Sequence, residues 1–141
     1  MGINVRAAFF VSQSIVRKMI KHGTSGSIIN LSSQMGHVGA KNRTIYCTSK
    51  HAIEGLTKSM AVELASDGIR VNSVAPTFVE TPMTQPFLEE DEFRDEVLSK
   101  IPLGKIAHTG DIIGAILFLA GDASTMITGS CIKIDGGWTA V

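Results

Sequence analysis

The chain has 141 residues, the size of one ordinary domain, and 44% of them are hydrophobic, which excludes a wholly disordered segment. Thirteen basic residues balance thirteen acidic ones, so we expect no binding to nucleic acid or to an anionic membrane surface. No apolar run approaches the roughly 20 residues that span a bilayer, and the N-terminal residues do not have the pattern of a signal peptide. The two cysteines, Cys47 and Cys131, do not suggest a disulfide framework. We therefore expect a cytoplasmic, reducing location.

The first half of the chain predicts a helix, a strand and a longer helix. Apolar residues recur at mostly helical intervals over 5–22, and the turn residues 23–26 follow. The segment 27–32 is short, apolar and β-branched, which is typical of a buried strand. After a glycine-containing loop, residues 44–67 predict a long helix with one apolar stripe and one stripe of small residues. The apolar stripe consists of Ile53, Leu56, Met60 and Leu64, and the small stripe of Thr48, Ala52, Gly55 and Ser59.

The second half continues the alternation of strands and helices. Residues 69–74 predict an apolar strand, and the two prolines in 77–88 prevent a regular helix throughout that segment. An acidic helix is expected over 89–99, and Thr109 is a candidate N-cap for a helix that runs to Ala120. Residues 131–134 predict the last strand. Strands that alternate with helices indicate a parallel α/β sheet.

Tyr46 and Lys50 lie four residues apart in the predicted long helix and therefore share one of its faces. The phenol of a free tyrosine has a pKa of about 10, which makes it a poor base at neutral pH. An ammonium group about 4 Å away favours the phenolate by roughly 4 kcal/mol at an effective dielectric constant of 20. The pair is therefore a candidate general acid/base. Ser33 follows the strand 27–32, where open α/β sheets bind ligands, and its hydroxyl can hydrogen-bond a substrate oxygen.

A Tyr-x-x-x-Lys pair alone is a weak signal, but a wider pattern surrounds this one. Residues 26–33, Gly-Ser-Ile-Ile-Asn-Leu-Ser-Ser, with 46–50, Tyr-Cys-Thr-Ser-Lys, resemble the catalytic core of the short-chain dehydrogenase/reductase family. Residues 70–76, Arg-Val-Asn-Ser-Val-Ala-Pro, resemble the next strand of that family and its nicotinamide-side loop. Residues 134–138, Ile-Asp-Gly-Gly-Trp, resemble its C-terminal turn. The resemblance therefore extends over 1–141, as the C-terminal part of one Rossmann-like domain.

The resemblance implies an oxidoreductase that transfers a hydride between the nicotinamide of NAD or NADP and a carbonyl or alcohol substrate. It implies that Tyr46 exchanges the substrate proton, that Ser33 orients the substrate oxygen, and that Lys50 also bonds the nicotinamide ribose. Asn4 matches the asparagine of the family's catalytic tetrad and is expected to hold a water that links Lys50 to solvent. Further positions that match cofactor-contacting positions of the family are Pro76, Val79 and Thr81.

The chain departs from the family pattern in two places. Thr77 stands where the family usually has glycine, and threonine does not reach the backbone angles open to glycine, so the loop path is expected to differ. No Gly-x-x-x-Gly-x-Gly or Gly-x-Gly-x-x-Gly sequence occurs, although such a turn brings the pyrophosphate to a helix N-terminus. We therefore expect a truncated chain that retains three strands of a doubly wound parallel sheet with flanking helices. The alternative function is a catalytically inactive fragment that acts at most as a non-catalytic subunit.

The resemblance also implies that residues 77–108, approximately, form a lid over the substrate. It further implies that complete family members form homodimers or homotetramers, which pair through the helices 5–22 and 44–67. The lid segment contains three large apolar residues, Met83, Phe87 and Phe93. Two roles remain open for them: they line the substrate pocket, or they serve in ordinary packing. The substrate is a small alcohol or carbonyl compound, and sugars, polyols, acyl thioesters and steroids all remain open.

No metal site is predicted from the sequence. The two cysteines are far apart in the chain, and the four histidines have no mutual ligand spacing. The histidines are His22, His37, His51 and His108.

Overall fold

The computed structural model describes residues 1–141 as an α/β fold. The helices are α1 (Ala8–Lys21), α2 (Thr44–Leu64), α3 (Gln85–Leu88), α4 (Asp91–Ser99) and α5 (Thr109–Ala120). The strands are β1 (Gly26–Leu31), β2 (Ile69–Pro76), β3 (Val79–Glu80), β4 (Ala107–His108) and β5 (Cys131–Ile134). A π-helical turn, Gly2–Ala7, precedes α1, and short 3₁₀ turns occupy Gln34–Gly36, Ala65–Asp67, Asp122–Ser124 and Trp138–Ala140.

The main sheet has three parallel strands in the order β1-β2-β5. Gly26 pairs with Ile69 at one end of the β1–β2 ladder, and Leu31 pairs with Val74 at the other. The strands β3 and β4 form a separate parallel pair of two residues each. The predicted fold class, three parallel strands of a Rossmann-like sheet with flanking helices, is confirmed.

Several boundaries differ from the prediction. The first helical segment begins at Gly2 rather than at residue 5, because the π-helical turn extends it. Thr109 is not the N-cap of α5; His108 is, and its amide donates to the Asp111 carboxylate over 2.8 Å. Thr109 is the first helical residue instead, because Asp111 at the third helical position completes a capping box with His108.

The apolar stripe of α2 faces the sheet, as its spacing predicts. Met60 and Leu64 pack with Ile69 and Val71 of β2, and Val16 of α1 completes this core. All five side chains are buried. The stripe of small residues lies on the opposite, mostly exposed face of α2, where a methyl group added at the exposed Gly55 would meet no atom within 4 Å. The helix therefore has one face for its own sheet and one free face.

Polar side chains of β2 attach the sheet to the segment that follows α5. The Arg70 guanidinium donates to the carbonyls of Leu119 and Gly121 and to the Ser124 hydroxyl. The Asn72 amide nitrogen donates to the Ile127 carbonyl, and its oxygen accepts from the Ser130 amide. The bonds of Arg70 satisfy carbonyls at the end of α5. A buried carbonyl left without a partner would cost free energy.

The segment between β2 and α5 forms its own small core. Leu88, Val97, Ile101 and Ile106 are buried together, and Phe78, Phe93, Leu98 and Trp138 pack against them. Large apolar side chains remain exposed on α1, among them Phe10, Val11 and Ile15. None of the helices is both long and apolar enough to cross a membrane.

β1 is an edge strand in this chain. The Gly26 amide donates to the carbonyl of Gly68, just before β2, and the Ser32 amide donates to the Val74 carbonyl of β2. The alternate amides of Ser27, Ile29 and Leu31 therefore face the open edge. Unpaired edge groups are a template for pairing with another chain.

We predict that the 141-residue chain self-associates and melts at a temperature that depends on its concentration. Ile29→Pro, which removes one edge amide, should shift the chain toward monomer in sedimentation velocity runs.

Ile29→Val is the matched control, because valine keeps the edge amide and is expected to self-associate like the original chain. A monomer with a reversible, concentration-independent thermal transition would contradict the prediction.

Candidate active site

A cleft of about 680 Å³ opens beside the carboxyl ends of β1 and β2. Ligands of open α/β sheets bind at this end of the strands. Eleven of its 19 lining residues are hydrophobic, and Met83, Phe87 and Phe93 are among them. Phe93 also packs on the small core beside the cleft, so for this residue the two alternatives, pocket lining and ordinary packing, both hold. Ser33 and Tyr46 line the same cleft, which brings two of the predicted catalytic residues together.

Ser33 lies just after β1, where it is buried and has an extended backbone conformation. Its hydroxyl donates to the Gln34 side-chain oxygen over 2.6 Å and accepts from the Met35 amide over 3.2 Å. It therefore caps the 3₁₀ turn, and its position is fixed by that turn. The neighbouring Ser32 is also buried, and its hydroxyl has no hydrogen-bond partner.

Tyr46 and Lys50 share one face of α2, as predicted. The Lys50 Nζ lies 5.7 Å from the centroid of the Tyr46 ring, and it donates to the Leu31 carbonyl over 3.0 Å. Leu31 is the last residue of β1, so this bond places the ammonium at the end of the strand. Tyr46 is 39% exposed, and its ring is accessible from the cleft.

Burial lowers the pKa of Lys50, and the negative charge of Glu54, one turn further along α2, opposes this effect. The charged form of a buried lysine is disfavoured because its hydration shell is lost. Lys50 is thus held in a partly desolvated site, where its charge acts more strongly on nearby atoms than it would in water.

Asn4 lies in the π-helical turn before α1 and does not line the cleft. Its side-chain amide donates to the Ser49 hydroxyl over 3.0 Å, and that hydroxyl donates to the Tyr46 carbonyl over 2.7 Å. Asn4 therefore contacts the helix turn that carries Tyr46 and Lys50. Its expected water link to Lys50 stays a prediction.

Pro76, Val79 and Thr81 line the cleft beside Tyr46. Thr77 adopts an ordinary backbone conformation, since Asn42 is the one non-glycine residue with positive φ. Its amide donates to the Ile134 carbonyl, whereas its buried hydroxyl has no partner. An unpaired buried hydroxyl costs free energy, so a ligand that bonds it would gain affinity.

A second cluster lies apart from the cleft. His37, Glu54 and Cys131 place one ligand-type atom each within 4.8 Å of one another, and none of the three lines the cleft. His37 and Cys131 are 94 residues apart in the chain, so no sequence spacing could indicate their contact. Burial raises the pKa of the Cys131 thiol to about 11, and the neighbouring Ser73 hydroxyl opposes part of this rise.

Residues 1–139 match the family described as enoyl-(acyl carrier protein) reductase. The chain is 44% identical over 139 residues to L-xylulose reductase of Bos taurus, and 46% identical over 136 residues to the 3-oxoacyl-[acyl-carrier-protein] reductase FabG of Thermotoga maritima. These matches cover 99% and 96% of this chain but 57% and 54% of the two relatives. The chain thus spans little more than half the length of the curated relatives that it matches.

Solved structures give the same result. A gluconate 5-dehydrogenase from Burkholderia cenocepacia in complex with NADP and tartrate superposes with a TM-score of 0.95 at 32% identity, over 100% of this chain and 55% of that one. A 4-hydroxyisoleucine dehydrogenase complexed with NADH superposes with a TM-score of 0.95 at 34% identity, over 99% of this chain and 57% of that one.

We predict that the charge of Glu54 raises the pKa of Lys50. Glu54→Gln removes the negative charge that supports the ammonium, so the pKa of Lys50 should fall further below the ordinary lysine value. Glutamine keeps an oxygen that can accept the Ser73 hydroxyl, which limits structural change. The measurement is the pH titration of the Lys50 side-chain signal by NMR. Glu63→Gln on the exposed side of α2 is the control, and an unchanged or higher pKa of Lys50 in Glu54→Gln would refute the assignment.

Proposed function

We propose that this chain, a member of the short-chain dehydrogenase/reductase family by the match over residues 1–139, is part of an NAD- or NADP-dependent oxidoreductase. In this proposal the chain supplies the substrate-binding and proton-transferring residues. When bound, the nicotinamide supplies or accepts a hydride at the substrate carbon. The observation that carries the proposal is the cleft that Ser33 and Tyr46 line together at the carboxyl ends of the strands.

The residues of the cleft have distinct roles in this proposal. In the direction of reduction, the Tyr46 hydroxyl donates its proton to the substrate carbonyl oxygen, and an alcohol forms when the carbon accepts a hydride. In oxidation the same oxygen takes the proton back. The Ser33 hydroxyl donates a hydrogen bond to the substrate oxygen once it turns from Gln34. The Lys50 ammonium stabilises the negative charge that the tyrosine oxygen carries after it has lost its proton.

The residues at the end of β2 suit the nicotinamide end of the cofactor. The unpaired Thr77 hydroxyl offers a partner to the carboxamide, and Pro76, Val79 and Thr81 lie along the same side of the cleft. Lys50 at the end of β1 is available to bond the ribose. The chain carries no glycine-rich turn for the pyrophosphate.

The substrate is proposed to be a small uncharged carbonyl or alcohol compound, such as a sugar, a polyol or an acyl derivative. The cleft is mostly apolar with interspersed hydroxyl groups from Thr77, Thr81, Thr84 and Thr109. Arg43 is the one charged residue in its lining. Hydroxyl groups on an apolar wall suit a ligand that carries both carbon surface and hydroxyls. The segment at 77–108, which contributes eight of the 19 lining residues, is proposed as the substrate lid.

The test uses a chimera in which the segment of L-xylulose reductase that precedes the matched region is joined to residues 1–141. Tyr46→Phe removes the exchangeable proton and keeps the ring, so turnover should fall by about 10²- to 10⁴-fold while cofactor affinity is retained. Lys50→Ala should impair both turnover and cofactor affinity. The measurements are steady-state oxidation of NADH or NADPH with a panel of ketoses and dicarbonyls, and calorimetric titration of the cofactors.

Cys47→Ser is the control, because this buried neighbour of Tyr46 has no proposed role in the reaction. A chimera in which Tyr46→Phe keeps most of the turnover would refute the catalytic assignment. The same assays on the 141-residue chain alone separate catalysis from the alternative of a non-catalytic subunit. Without the pyrophosphate turn, we expect that chain to bind either cofactor far more weakly than the chimera does.

We also propose that complete forms of the protein pair through α1 and the free face of α2. This face carries the small residues Thr48, Gly55 and Ser59, and α1 beside it exposes Phe10 and Val11. Small side chains let helices from two subunits approach closely, and a closed dimer buries the apolar residues of both.

Gly55→Leu tests this interface in the chimera. A Cβ atom added at this exposed position meets no atom of its own chain within 4 Å, so the fold should be kept while the dimer weakens by at least about tenfold. Light scattering over a concentration series measures the change. Gly39→Leu, at another open glycine, is the control, and an unchanged mass for Gly55→Leu would rule out this face.

A further inference from the structure

Three side chains from distant parts of the chain meet beside α2. The His37 Nε2 lies 3.4 Å from the Glu54 Oε1 and 3.3 Å from the Cys131 Sγ. The Cys131 Sγ lies 3.5 Å from the same carboxylate oxygen. His37 follows the 3₁₀ turn, Glu54 is on α2, and Cys131 begins β5, so the cluster joins three elements of the fold.

These separations correspond to the edges of a tetrahedral zinc site. Zinc binds thiolate at about 2.3 Å and imidazole or carboxylate at about 2.0–2.2 Å, so a tetrahedral ion holds such ligand atoms about 3.3–3.6 Å apart. All three measured separations agree with this range to within about 0.1 Å. A zinc ion could therefore contact all three atoms with little movement of the side chains.

The surroundings support a metal ion in two further ways. The second carboxylate oxygen of Glu54 accepts the Ser73 hydroxyl over 2.9 Å, which fixes the orientation of the carboxylate. Such hydrogen bonds behind the ligands are typical of protein metal sites. The His37 side chain is 25% exposed while that of Glu54 is 9% exposed, so an ion can enter on the histidine side.

Gly36 makes the approach of His37 possible. A Cβ atom at this position would lie 2.8 Å from the Ser32 hydroxyl oxygen, 3.1 Å from the Lys50 carbonyl oxygen and 3.3 Å from the Glu54 Cγ. With glycine there, the turn lies directly against α2, and the next residue, His37, reaches the Glu54 carboxylate.

We propose that His37, Glu54 and Cys131 bind a zinc ion, with water in the fourth position. The combination of imidazole, thiolate and carboxylate suits zinc better than magnesium or calcium, which prefer oxygen ligands alone. None of the three residues lines the cleft, although the Glu54 carboxylate also acts on the pKa of Lys50. Bound zinc would cross-link the turn after β1, the helix α2 and the start of β5.

The test is metal binding by the 141-residue chain, with zinc and with cobalt as a spectroscopic substitute. We expect about one zinc per chain. Cobalt should produce the near-ultraviolet charge-transfer band of a thiolate ligand. His37→Gln and Cys131→Ser should each weaken zinc binding by more than about 100-fold, and Ser73→Ala, which removes only the supporting hydroxyl, by about 10- to 100-fold.

Cys47→Ser is the matched control, since it removes the other thiol and should leave the cobalt band unchanged. The proposal is overturned if the chain binds no zinc, if binding survives in both His37→Gln and Cys131→Ser, or if Cys47→Ser abolishes the band. In the first two cases the three side chains form only a hydrogen-bonded cluster. Circular dichroism of each variant shows whether a loss of binding reflects the missing ligand or a lost fold, and Ser73→Ala gives an independent readout because it keeps all three ligands.

Discussion

Two buried polar contacts determine how α2 lies on the sheet. The Asn30 amide donates to the Thr57 hydroxyl, and the Ser73 hydroxyl donates to the Glu54 carboxylate, each over 2.9 Å. Because an unpaired buried polar group costs free energy, a rotation of α2 about its axis that broke both contacts would be unfavourable. This single rotational setting directs Tyr46 toward the cleft. The same setting brings the Lys50 ammonium to the last carbonyl of β1.

The sequence was informative wherever residues repeat at a regular interval. The apolar stripe of α2 repeats at helical intervals, and its members Met60 and Leu64 are buried against β2. The strand at Ile69–Pro76 is almost wholly buried, which agrees with the short apolar strand predicted at 69–74. Periodicity succeeds here because burial on a sheet requires it. The four-residue spacing of Tyr46 and Lys50 belongs to the same class of local signal.

Contacts between residues that are distant in the chain could not be predicted from periodicity. Nothing in the sequence around His37 indicates that Cys131 lies next to it, because their approach depends on how β5 joins the sheet. The sequence predicts the N-cap of α5 one residue too late, because Thr109 is a good capping residue by type. In the structure, His108 and Asp111 together complete the cap. The ordinary backbone of Thr77 is likewise set by its bond to Ile134 of β5 rather than by a preference of the residue.

Gly36, which lies against α2, and Gly55, which lies within it, differ in how much room they leave for a side chain. Gly36 has the Lys50 carbonyl and the Ser32 hydroxyl within 3.1 Å of the place where a side chain would begin, whereas Gly55 has open space there. Among natural or random variants, position 36 should therefore be intolerant of even one extra methyl group in any folded chain. Variation at position 55 is free as far as the single chain is concerned. A sequence survey across related proteins would thus record the demands of the fold at Gly36 and, at Gly55, those of the proposed pairing of helices.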